Sequence, residues 1–155
     1  MNQALQEQPA AKAPDHHEYS PGLEGVIAGE SAICQVDEGE AGLRYRGYAI
    51  GDLADRSSFE DVAYLLLYGH LPTEPELKEF SARLADNRQL PEHVRQFVES
   101  LRSGMHPMDV LRTGISLLGL SDPDAQDGSR AANLRKSVRL LAQIPQLVAD
   151  SYHVM

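Results

Sequence analysis

Cysteine is nearly missing from this sequence: Cys34 is the only one. One thiol excludes an internal disulfide framework, fits a reducing compartment and cannot build a thiolate zinc site by itself. Basic charge is short as well. Lys and Arg number 14 against 23 Asp and Glu, a net charge of −9. That balance disfavours nonspecific binding to nucleic acid or to an anionic membrane, which needs a basic footprint. Long hydrophobic runs are absent. The longest, Val62 to Tyr68 (VAYLLLY), is far too short to span a bilayer. Residues 1–20 hold no arginine and no apolar core, but do hold Glu7, Asp15 and Glu18, so no targeting signal is marked there. Gln, Ala and Pro dominate that stretch, which reads as a disordered tail. Together these absences point to a cytoplasmic chain.

Signatures of bound phosphate and metal are missing too. Neither G-x-x-x-x-G-K-S/T nor G-x-G-x-x-G occurs, so no phosphate cradle is marked. His16, His17, His70, His93 and His153 are scattered, with no H-x-x-x-H or H-E-x-x-H spacing. The acidic stretch SDPDAQDGS (Ser121 to Ser129) slightly resembles a calcium loop. Counting from Asp122, however, the twelfth position is Asn133 where calcium needs a Glu.

What is present is a globular chain of 155 residues, 42% hydrophobic and 24% charged, enough to bury a real core in one domain. ESAICQVD (Glu30 to Asp37) leans towards strand and DEGEAG supplies a turn. Leu43 and Tyr45 then alternate with arginines, which predicts a hairpin between about residues 31 and 46. From residue 57 the pattern is helical. Ser57 and Ser58 offer N-caps, and Glu60 stands three after Ser57 as in a capping box. Phe59, Val62, Ala63 and Leu66 share one face, with Gly69 and Pro72 as stops. A second helix starts at Thr73, with Glu76 in the reciprocal position, and turns Leu77, Phe80 and Leu84 inward. A third starts near Pro91 and presents Val94, Phe97, Val98 and Leu101. A fourth starts near Pro107 and aligns Met108, Leu111, Ile115 and Leu118. The fifth uses Ala131, Leu134, Val138 and Leu141, and Pro145 is expected to kink or interrupt it.

Two stretches could carry chemistry. In GLRYRGYAIGDL, Arg44 and Arg46 are good phosphate ligands in principle. Without a cradle, a packing role for the Arg and Tyr side chains outweighs that one. In MHPMDVLRT, His106 could be a general base oriented by Asp109. Against this, no nucleophile or second base stands nearby, so a plain helix-start role for His106 is favoured.

The motifs PGLEGVIAGESAIC (Pro21 to Cys34), LRYRGYAIGDLA (Leu43 to Ala54), SSFEDVAYLLLYGHLPTEPEL (Ser57 to Leu77) and MHPMDVLRTGISLLG (Met105 to Gly119) closely resemble the N-terminal part of citrate synthases and 2-methylcitrate synthases. ANLRKSVRLLAQIPQLVADSYH (Ala132 to His153) is similar to the helix that follows there. The resemblance implies a mainly α fold: part of a citrate-synthase-like helical large domain with a small N-terminal β-hairpin. Residues 1–20 are then a disordered tail, 21–56 a β segment and 57–155 helical. It also implies an enzyme of two domains, working as a dimer, that condenses an acyl-CoA thioester with a 2-oxo acid. Citrate from acetyl-CoA and oxaloacetate, in the tricarboxylic acid cycle, is the main reading, and propionyl-CoA is the alternative substrate.

The family's two catalytic histidines lie in His-Gly-Gly and Gly-His-Arg segments, and its catalytic Asp lies later. Neither segment occurs in this chain. No catalytic, cofactor-binding or metal residue carries over, no cofactor is expected, and acetyl-CoA is a substrate of the complete enzyme. His106 falls in the family's His-Pro-Met motif as a helix start. The expectation is therefore a truncated or split part, inactive alone, that self-associates or binds a complementary C-terminal part. A non-catalytic helical interaction module is the alternative.

Overall fold

The computed structural model describes residues 22, 26, 29, 31–36 and 42–155. The tail expected over 1–20 and residues 37–41 of the hairpin turn lie outside the described residues. The chain divides into two units, Met1–Ser31 and Ala32–Met155, and the strands and helices lie in the second.

That unit opens with strands β1 (Cys34–Val36) and β2 (Leu43–Tyr45), paired antiparallel with Cys34 opposite Tyr45 and Val36 opposite Leu43. The hairpin is thus where the alternation placed it. A third strand, β3 (Tyr48–Ala49), extends it, with Tyr45 opposite Tyr48. The connecting residues Arg46 and Gly47 have φ of 49° and 90°. A two-residue turn of the type I′ kind needs positive φ at both positions. Gly47 meets this freely and Arg46 is held there by the bonds its side chain makes.

Six helices follow. Helix α1 (Ile50–Arg56) lies inside the stretch kept for β structure on sequence grounds. It starts straight from β3 with Ala49 as N-cap and no capping side chain, so no start signal marks it. Helix α2 (Phe59–Tyr68) is capped one residue later than the sequence suggests. Ser58, not Ser57, accepts the Asp61 N–H at 3.2 Å, and Asp61, not Glu60, accepts the Ser58 N–H at 2.8 Å. Gly69 closes α2 with φ of 95°, donating to the Leu65 carbonyl. Helix α3 (Glu74–Asp86) starts as read, with the Glu76 carboxylate accepting from the Thr73 N–H and hydroxyl at 2.8 and 2.7 Å. Helix α4 (Glu92–Glu99) follows Pro91 and α5 (Pro107–Leu120) follows His106.

Helix α6 (Arg130–Val154) is capped by Ser129 and runs 25 residues, about 37 Å at 1.5 Å per residue. Of the two outcomes expected at Pro145, kink or interruption, the interruption does not occur. Proline removes the N–H that would reach the Leu141 carbonyl. The buried Ala142 and Leu147 on either side hold the helix in place.

Two apolar clusters fill the interior. One gathers Leu90, Val94, Val98, Leu101, Val110, Leu118 and Leu147 from α4, α5, α6 and their connections. The other gathers Ala63, Tyr64, Phe80, Leu84, Val138 and Ala142 from α2, α3 and α6. Phe80 and Leu147 are wholly enclosed, and burying such a side chain contributes roughly 2–3 kcal/mol. The inward faces read for α3 and α4 hold. Those of α2 and α5 hold in part: Ala63 and Leu118 are buried as read, and Leu111 and Ile115 pack against the core, while Phe59 is 63% exposed, Met108 is 62% exposed, and Tyr64, Leu65 and Val110 are buried besides.

Candidate functional site

The arginines of the turn serve the fold. The Arg46 guanidinium donates to the Leu66 carbonyl at 2.9 Å and to the Ala32 carbonyl at 3.4 Å, and the Arg46 N–H donates to the Ile33 carbonyl. Arg44 donates to the Gly47 carbonyl at 3.1 Å. Arg46 thus ties the sheet to the C-terminal turn of α2, where carbonyls lack helical partners.

His106 and Asp109 are not brought together as a base and its partner. His106 Nδ1 accepts the Met108 N–H at 3.3 Å, which caps α5. The Asp109 carboxylate pairs with Arg112 at 3.0 Å on the exposed face. The other described histidines are equally separate. His70 lies edge-on to Tyr64, His93 Nε2 meets the Leu117 carbonyl at 3.0 Å, and His153 lies edge-on to Tyr152. His16 and His17 are outside the described residues. Cys34 is exposed on β1. Among the described residues no group of three His, Cys, Asp or Glu is placed to hold a metal ion.

Two polar clusters do assemble, and both fasten helices. In the acidic loop, Arg139 forks onto Asp122 at 2.8 and 2.7 Å and also reaches Asp124 at 2.6 Å. Arg135 forks onto Asp124 at 3.0 and 2.5 Å. The Arg135 and Arg139 guanidiniums hold the Asp124 carboxyl far below the usual carboxylate range, and Arg139 lowers Asp122. These bidentate pairs clamp the loop to α6. In the second cluster Tyr64 and Tyr68 stack at 4.3 Å, and the Tyr64 hydroxyl donates to Glu76 at 3.1 Å. Burial, then the hydrogen bond to Glu76, pushes the Tyr64 phenol up. The Thr73 backbone N–H and hydroxyl hold Glu76 down.

The surface carries two apolar clefts. A groove of about 510 Å³ runs between α2 and α6, walled by Phe59, Val62, Leu66, Leu140, Ile144 and Pro145. A smaller cleft of about 190 Å³ lies between the start of α5 and the end of α6, lined by residues including Pro107, Met108, Leu111, Val148, Ser151 and Tyr152. The stripe Phe59, Val62, Ala63, Leu66 was legible in the sequence, but as core. Ala63 does join the core, but the stripe also lines an open groove, and the helix buries Tyr64 and Leu65 beside it. No membrane-crossing helix exists among the described residues.

The architecture is a mainly helical fold of six helices behind a small antiparallel sheet, of the kind that forms a helical large domain. A family model described as "Citrate synthase, C-terminal domain" matches residues 22–155. The chain belongs to the citrate synthase family. It is 42% identical over 140 residues to a 2-methylcitrate synthase of Mycobacterium tuberculosis, covering 90% of this chain and 35% of that protein. The crystal structure of citrate synthase from Pyrobaculum aerophilum superposes with a TM-score of 0.79 at 29% identity, covering 99% of this chain and 42% of that one. A citrate synthase from the archaeon Thermoplasma acidophilum, solved in ternary complex with carboxymethyl coenzyme A and oxaloacetate, gives 0.71 at 25% identity over 90% of this chain and 38% of that one. The chain spans about a third of the length of the curated relatives it matches.

Proposed function

We propose that this chain is the leading part of the helical large domain of a citrate-synthase-type acyltransferase, and that it works as scaffold rather than as reaction centre. The observation that carries this is the continuous match over residues 22–155 together with the superposition of nearly the whole chain on less than half of a citrate synthase. Condensation at a thioester requires a positioned base for the α-proton and donors for the enolate oxygen. The two sequence candidates for such work, His106 and Asp109, are engaged in capping α5 and in an exposed ion pair. The reaction then needs the remaining segments, supplied in the same polypeptide or in trans. Oxaloacetate and a coenzyme A thioester are the substrate classes, on the strength of the Thermoplasma complex. Acetyl-CoA is the first choice, and the 2-methylcitrate synthase relative supports propionyl-CoA as the alternative. No cofactor is assigned. A cytoplasmic place in the tricarboxylic acid cycle belongs to the same proposal.

The test is release of CoA thiol from acetyl-CoA or propionyl-CoA with oxaloacetate. The chain is assayed alone and mixed with a complementary C-terminal segment of a citrate synthase. Background rates alone and turnover on mixing are expected. Turnover by the chain alone, after rigorous removal of host enzyme, overturns the scaffold reading, and His106→Ala then becomes the first variant to make. The two open apolar clefts favour one second reading, a non-catalytic helical module that binds a partner. Binding of the complementary segment without turnover would select it.

A further inference from the structure

We draw no further inference here: the strongest candidate, the apolar groove between α2 and α6 walled by Phe59, Val62, Leu66, Leu140, Ile144 and Pro145, is an unpartnered face, and nothing in the structure shows what covers it.

Discussion

Gly114 of α5 lies directly against Leu147 of α6. A Cβ at position 114 would stand 2.5 Å from one Leu147 methyl and 2.9 Å from the other. Leu147 is fully buried in the cluster shared by α4, α5 and α6, so it has little room to turn away. Overpacking costs about 1–3 kcal/mol, and the helix propensity gained from alanine returns about 1. Gly114→Ala is therefore expected to lose up to roughly 2 kcal/mol net, a fall of up to several degrees in melting temperature. Gly119, on the same helix, meets nothing within 4 Å. Gly119→Ala should raise the melting temperature. Two glycines of one helix thus give opposite signs in thermal melts, and equal shifts would refute the close packing.

The cap of α2 separates two adjacent serines. Ser58 makes the reciprocal bonds with Asp61, so Ser58→Ala is expected to cost about 1 kcal/mol. Ser57 is only the C-cap of α1 and its side chain caps nothing. Ser57→Ala should stay within about 0.5 kcal/mol. Urea denaturation of both variants checks this, and the reverse ranking would restore the Ser57–Glu60 box.

Legibility followed the range of the interaction. Thr73 with Glu76, and His106 before Pro107, were readable because capping is chemistry within three residues. The β1–β2 pairing was readable from alternation. Helix α1 was not, because Ala49 offers no cap and the helix is only seven residues long. Which face of α2 is buried depends on α3 and α6, so its stripe alone misplaced Phe59. Ser151 gives no signal at all in sequence. A serine in a helix is ordinary, and only the packing of α5 over the end of α6 leaves its hydroxyl without a partner. The readings against Arg44, Arg46, His106 and Asp109 as chemistry came from what was missing around them, and the structure supplies each with another occupation.

The acidic loop sets an acid limit on stability. Asp122 and Asp124 titrate below their ordinary values in the folded chain, through the hydrogen bonds from Arg139 and Arg135. Groups with depressed folded values contribute stability that is present above the unfolded value, near 3.9, and lost as pH falls through the folded ones. The melting temperature should drop from about pH 4 downward, the region of that unfolded value. In Arg139→Met the drop over this window should be smaller and the stability at neutral pH lower. A pH series of thermal melts reads both. An unchanged acid slope in the variant would show that the clamp does not act on stability.

Helix α6 contacts α3, α4 and α5, and it alone sends residues into both apolar clusters: Val138 and Ala142 into one, Leu147 into the other. Pro145 falls between them. The two clusters share no other helix, so α6 is the element that couples the order of one to the order of the other. The weakest backbone rung of the helix sits at the crossing point. One cooperative melting transition is expected while α6 stays continuous through Pro145, and opening the helix there should loosen the coupling between the two clusters.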